Sequence, residues 1–283
     1  MLSGLAGELK RSLILCHVAY RDESFISVCD VAGGCVAYLN TFKLIEAAVR
    51  GEQLDAKALI AEVDKQKVLS ALKRSKQGVP KPVPYTDEPI EEKNLSLMPQ
   101  QEKEKLWDIY GRLPTMGENY ECDLAVLFAL REKYPRVPCI YNYISVIYQN
   151  TRQMEKLVNI LQETTRKFPD YLFGKTALAE FYLQNNESSK IPPILDHNFE
   201  LYLLYPEKEL FHISEVRAFY ALTGMYHAEG NHLARTFACY YLLEEIDPDH
   251  ALTLRLARAI VRKEWDNLRQ KMSKTRARGG HRR

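Results

Sequence analysis

The side chains able to do chemistry lie scattered through this 283-residue chain. Cysteines stand at Cys16, Cys29, Cys35, Cys122, Cys139 and Cys239, and no two form a CxxC pair. Cys16-His17 with Cys29 and Cys35 is the nearest approach to a metal-ligand set, but its spacing is not that of a zinc site. Scattered thiols more commonly fill core space in a reducing compartment. Cys122 and Cys139 would be nucleophiles only beside a base, and the neighbouring sequence supplies none. His227 and His232 flank a turn at Gly230 and are expected on different helical faces, as solvated or packing residues. Glu121, Asp123, Glu180, Glu244 and Glu245 fall on expected helix surfaces. Gly33-Gly34 lacks the context of a phosphate-binding loop, HExxH is missing, and so is GxSxG. The expectation is a chain that is not an enzyme, with no cofactor and no metal.

Charge narrows the partner classes. With 39 basic and 37 acidic residues the net charge is +2, which argues against a surface that grips nucleic acid or membrane everywhere. The exception is the C-terminus, KMSKTRARGGHRR, where Lys271, Lys274, Arg276, Arg278, Arg282 and Arg283 meet no acid. Residues 273–283 are expected as a disordered basic tail that attracts phosphate backbones or anionic headgroups. Its mix of Arg and Gly suits RNA, although it offers no aromatic ring for base stacking. Near the N-terminus, SLILCHVAY (Ser12–Tyr20) mimics a short signal core. It lacks a clean cleavage site and falls far short of the ~20 residues of a membrane helix. No membrane span and a cytoplasmic location are expected.

The elements that must position any binding residues follow from proline and glycine placement. Five of thirteen prolines fall between Pro80 and Pro99, and such a run cannot be helix interior. Residues 77–100 are expected as a linker, in preference to a proline-rich ligand for an aromatic groove. Before it, residues 1–76 form an expected small domain. Phe25–Val31 and Cys35–Leu39 read as a hairpin around Ala32-Gly33-Gly34. A helix there would carry two mid-helix glycines at ~2 kcal/mol. Helices are expected over Thr41–Arg50 and Asp55–Arg74, the latter burying Leu59, Val63, Val68 and Leu72.

After residue 100 the strand signals stop and a repeat emerges. Tyr134-Pro135, Phe168-Pro169, Tyr205-Pro206 and Asp247-Pro248 recur at intervals of 34, 37 and 42 residues. Within each interval the order is helix, polar turn, helix, proline. The turns are Gln149-Asn150-Thr151, Gln184-Asn185-Asn186 and Glu229-Gly230-Asn231. Tyr141, Ile144 and Tyr148 share a helical face, as do Met154, Leu157, Val158 and Leu161. Leu178, Phe181 and Tyr182 follow, then Phe219, Tyr220 and Tyr226, then Leu233, Phe237 and Tyr241. A final helix, His250–Met272, has an expected N-cap at Asp249 and an apolar stripe of Val261, Trp265, Leu268 and Met272. Arg255, Arg258, Arg262, Lys263 and Arg269 give it a polar outer face.

In this order the segment resembles the tetratricopeptide repeat family over about residues 104–270. Tyr141, Ile144, Ser145, Tyr148 and Pro169 carry the best match, with Leu157 where a small residue is usual. Trp107, Tyr110, Gly111 and Pro135 match in a first unit whose helix must break at Pro114. Leu178, Ala179 and Tyr182 match in a unit interrupted by Pro192-Pro193. Tyr220, Thr223, Gly224 and Pro248 match with His227 in the aromatic slot. The resemblance implies a mainly α fold, a right-handed α-solenoid of antiparallel helix pairs over 101–272. The smaller N-terminal domain would be α+β or all-α.

The resemblance also implies a scaffold or adaptor holding a partner peptide or helix in a concave groove. The groove positions would be Lys105, Asp108 and Arg112, then Asn142 and Gln149, then Phe173, Glu180 and Gln184. Cys139 and Phe173 replace the Lys and Asn that bind a terminal carboxylate in some relatives, so that specificity is not implied. The alternative expectation is an RNA-binding or other nucleic-acid-associated factor gripping through the tail.

Overall fold

The computed structural model describes residues 39–40, 43–44, 55–74, 80–90, 92–115 and 120–279. The expected hairpin, nearly all of helix Thr41–Arg50 and the Cys16, Cys29 and Cys35 set lie outside them. The described chain is mainly α, with one short pair of strands.

In chain order the helices are α1 (Ala56–Ala61), α2 (Lys65–Arg74), α3 (Gln100–Arg112), α4 (Tyr120–Lys133), α5 (Pro138–Asn150) and α6 (Met154–Lys167). Then come α7 (Leu172–Gln184), α8 (Ile191–Ile194), α9 (Leu201–Leu204), α10 (Ile213–Glu229), α11 (Leu233–Ile246) and α12 (Ala251–Gly279). Strand β1 (Tyr85–Thr86) pairs in parallel with β2 (Phe211–His212). The chain divides into two compact units, one of residues 1–80 with 227–283 and one of residues 81–226. The expected boundaries at 77–100 and 101–272 therefore shift. The first cut falls at Pro80–Lys81 and the second lies within α10.

In the first unit, the N-terminal helices pack against the C-terminal ones: α1 on α12, α2 on α11, and α11 on α12. Val68, Leu72, Phe237, Tyr240, Leu256 and Ile260 are almost completely buried there. The single helix expected over Asp55–Arg74 is two. The Asp55 side chain caps α1 by accepting from the Lys57 and Ala58 amides, and Asp64 caps α2 by accepting from Gln66 at 2.8 Å and Lys67 at 3.3 Å. Helix α12 begins after His250, whose Nδ1 accepts the Leu252 amide at 3.2 Å, in the place expected for Asp249. It continues past Met272 to Gly279, because Lys274, Ala277 and the arginines are good helix formers and no breaker precedes Gly279-Gly280. Seven residues assigned to a disordered tail are thus helical.

In the second unit, α4 packs on α5, α5 on α6, α6 on α7, and α5 also reaches α7. Pro138 at the start of α5 supplies a fixed φ without losing a needed donor. Ile140, Tyr141, Ile144 and Ile147 are fully buried. On α6 the buried residues are Leu157, Ile160 and Leu161, with Met154 exposed and Val158 half-buried. On α3 the register differs from expectation by one residue. Leu106, Ile109 and Leu113 are buried, whereas Trp107 and Tyr110 are 45% and 59% exposed.

Two turn geometries alternate along the repeat. Each polar turn places one residue at positive φ: Arg152 (57°), Asn186 (59°) and Asn231 (60°). The following amide then reaches back five residues, Gln153 to Tyr148 O at 2.9 Å, Glu187 to Tyr182 O at 2.8 Å and His232 to His227 O at 2.8 Å. This is the Schellman closure of a helix end. Each proline turn is closed by an amide three residues past the aromatic or acid. Val137 donates to Tyr134 O, Tyr171 to Phe168 O, Lys208 to Tyr205 O and His250 to Asp247 O, at 3.0–3.4 Å. Proline at the second position suits that turn. As expected, Pro192-Pro193 cut the helix after α7, leaving the one-turn helices α8 and α9. The chain between them carries positive φ at Asp196 and His197.

Candidate interaction surface

The eight residues expected to line a groove sit on three helices. Lys105, Asp108 and Arg112 are exposed on α3, and Arg112 is held by Asp123 at 2.6 Å. Asn142 is half-buried and Gln149 exposed on α5. On α7, Phe173 packs edge-on to Tyr171, and Gln184 donates to Glu180 at 3.0 Å. Of this set, Glu180 and Gln184 are joined directly by a hydrogen bond. Of the basic tail, Lys271, Lys274, Arg276 and Arg278 belong to α12 by backbone, and Arg282 and Arg283 lie outside the described residues.

The strongest feature of this surface was not expected. Residues 81–90 and 92–98, assigned to the linker, form a strap anchored at successive points of the second unit. The Lys81 amide donates to Glu200 Oε2 at 3.2 Å, and Tyr220 Oη donates to Lys81 O at 2.9 Å. The Lys81 ammonium lies 5.1 Å above the Tyr202 ring. Phe211 donates to Pro84 O at 3.1 Å, opening the pairing of Tyr85-Thr86 with Phe211-His212. Lys93 binds Asp170 at 2.5 Å and holds that carboxyl below its usual range. Asn94 Nδ2 donates to Arg136 O at 2.7 Å. Val83, Leu95 and Met98 are buried beneath. Two of the anchors, at Asp170 and Arg136, therefore fall on the proline turns that precede α7 and α5, and a third falls on β2 just before α10. Proline suits this role because an extended chain with few free donors can be held by a small number of bonds.

Under the middle of the strap is a cluster of polar and aromatic groups. Glu92 is half-buried. Burial first, and then the nearby Glu215 carboxylate, push its carboxyl up to about 7 despite Lys208. Lys208 is already committed to Glu215, contacting its two carboxylate oxygens at 2.7 and 2.8 Å, and Glu215 also accepts the His212 amide at 2.9 Å. His212 Nδ1 is 2.6 Å from Ser214 Oγ. Tyr171 and Tyr205 place hydroxyls in buried positions without hydrogen-bond partners. Burial raises the Tyr171 and Tyr143 phenols and the Cys139 thiol, with the Glu92 charge adding to each. Cys139 is therefore an inert thiol in this setting.

The histidine pair packs across the turn at Gly230. His227 and His232 come together with ring centroids 6.1 Å apart, and His227 is buried. Burial first, then Arg235 and His232, lower the His227 ring to about 3. Among the described residues no group of three His, Cys, Asp or Glu side chains could hold a metal, and no helix is long and apolar enough to cross a membrane. The chain matches no protein-family model, no curated protein and no solved structure.

Proposed function

We propose that this chain is a non-enzymatic interaction scaffold, a tetratricopeptide-like solenoid of antiparallel helix pairs that holds an extended peptide or helix of a partner. The observation that carries this reading is the strap. The second unit holds a stretch of its own chain, residues 81–90 and 92–98, by anchors at two proline turns and on β2. A surface that spaces backbone and side-chain anchors along a line is suited to extended segments. The matching closures at Tyr148, Tyr182 and His227 support a repeating architecture. Asn142, Gln149, Glu180 and Gln184 offer donors and acceptors for a peptide backbone on α5 and α7.

The test is selection of peptides from a random displayed library on the full-length chain. Selected peptides should lose at least about tenfold in affinity in the variant N142A/Q184A, which removes polar groups with small packing roles. Equal binding to wild type and variant would overturn the groove assignment.

A second reading is favoured by the length of α12. Exposed Arg258, Arg262 and Arg269 share one continuous helix with the basic residues up to Arg278. That reading makes the chain a nucleic-acid-associated factor. Its RNA affinity would fall steeply with salt and drop on deletion of residues 271–283. A salt-independent affinity, or none, would end it.

A further inference from the structure

We propose that the strap is a built-in occupant of the second unit's peptide seat, and that it yields to a partner's extended, proline-bearing segment with lysines where the strap carries Lys81 and Lys93. This rests on reading the second unit as a peptide-holding scaffold, and it names the partner's chemistry and what keeps the seat filled.

The seat is defined by what the strap's groups meet. Glu200 accepts the Lys81 amide at 3.2 Å, and Asp170 pairs with Lys93 at 2.5 Å. The Lys81 ammonium lies 5.1 Å from the centre of the Tyr202 ring, an attraction that a neutral or acidic side chain would not feel. The rest reads backbone. Tyr220 Oη donates to Lys81 O, and the Phe211 amide donates to Pro84 O. Strand β2 then continues the pairing in parallel, Phe211 with Tyr85 and His212 with Thr86. Such backbone bonds accept many sequences, so selection falls to the two lysine positions. Proline at position 84 forfeits nothing, because the seat engages its carbonyl, and it stiffens the segment in the extended form.

The strap is displaceable because so little of it is buried. Val83, Leu95 and Met98 are buried, whereas none of the described residues between Val83 and Leu95 is, and Tyr85 and Ile90 are 45% and 40% exposed. That stretch is held by a two-residue strand pairing, the exposed Lys93–Asp170 pair and one Asn94 side-chain bond to Arg136 O. Surface ion pairs of this kind contribute little, and a segment with few buried contacts opens locally more often than the packed helices beneath it. A partner segment of the same chemistry then competes for the vacated seat by mass action.

The experiment is fluorescence anisotropy of a labelled synthetic peptide with the sequence of residues 80–98, titrated with the full-length chain. The loosened variant is K93A/N94G. It removes two side-chain anchors, and glycine keeps the positive φ of Asn94 (63°), so the helices beneath are untouched. This variant should bind the peptide at least about tenfold more tightly than wild type, because its own strap vacates the seat more often. Adding D170K, an exposed change, should then cost the peptide about tenfold, since its lysine meets a like charge. A peptide of the same composition with its lysines and prolines moved should bind at least about tenfold more weakly. Equal affinity for wild type and K93A/N94G, no binding to either, or indifference to D170K would overturn the proposal. The probe is the strap's own sequence, so failure here marks the strap as a fixed part of the second unit. The scaffold reading fails separately, if library-selected peptides bind N142A/Q184A as they bind wild type.

Discussion

The segment α5–α6 and the segment that follows α7 begin from the same instructions and end differently. Both leave a first helix through a Schellman turn, at Arg152 and at Asn186, and both finish at a proline turn, Phe168-Pro169 and Tyr205-Pro206. Between those punctuation points the first has an unbroken 14-residue helix. The second has two four-residue helices and a loop. Pro192-Pro193 sit in the first turn of α8, where they bar a helix running in from the N-terminal side, and positive φ at Asp196 and His197 ends α8 after one turn. Packing is recovered by other means. Leu195 is fully buried, and Lys175 from α7, itself buried, reaches across to Asp196 at 2.6 Å and Ile194 O at 2.9 Å. The comparison teaches that the same turns can bracket different contents, and that a helix between them can be replaced when a buried anchor holds its substitute.

The largest test of this contrast is in the core. Ile144→Ala in the regular segment should cost about 3–4 kcal/mol, because rigid helices on both sides cannot close the cavity. Leu195→Ala, surrounded partly by loop, should cost less, about 2 kcal/mol. Chemical denaturation of the full chain measures both, and an equal or larger loss for Leu195→Ala would break the comparison.

The second test uses the slot that accepts the Schellman closure, filled by Tyr148, Tyr182 and His227 in turn. His227 is held neutral by burial, with its ring lowered to about 3 from an ordinary 6.5. The stability this confers is complete above about 6.5 and is lost as pH falls toward 3. At about pH 4 the loss should approach 3 kcal/mol at most, reduced by residual hydration. His227→Tyr, the residue type of the corresponding turns, should remove that acid limb in thermal melts. An unchanged limb would show that another group governs it.

Smaller still, Lys175→Met should cost about 1–3 kcal/mol by leaving the Ile194 carbonyl without its donor. Hydrogen exchange should show the loosening confined to residues 188–200; loosening spread over α5 and α6 would blur the contrast between segments. Smallest of all, Arg152→Gly should stabilise by a few tenths of a kcal/mol, because arginine at positive φ is strained and glycine is not. Asn186→Gly should change little, since asparagine tolerates that conformation. Melting temperatures of the two variants check the order.

What was legible in the sequence was what is written locally. The Tyr-Pro and Phe-Pro turns, the polar Asn turns, the start of α5 at Pro138 and the break at Pro192-Pro193 all depend on nearest neighbours. The face of α3 was misread because Trp107 and Tyr110 have the same spacing as Leu106 and Ile109, and aromatic size outweighed a one-residue shift. The break at Asp64 was written in the sequence as a capping residue before Lys65, but the continuing apolar spacing of Val63, Val68 and Leu72 masked it. The strap and the grouping of α1 and α2 with α11 and α12 left no local trace. Tyr85 pairs with Phe211 and Lys57 with Asp249 across more than a hundred residues, and proline content alone reads equally as linker or as seated segment. The groove residues were legible as exposed or half-buried helix positions and no further, since exposure does not name a ligand.

The central claim, that the helices after residue 100 hold a partner's extended segment, is tested most directly by mapping protection. Hydrogen exchange of the full-length chain should be measured with and without a saturating library-selected peptide. The account predicts new protection along α5 and α7, over residues 142–149 and 173–184, and at the proline turns that seat the strap. Protection confined to Ala251–Gly279, or none at all, would contradict it.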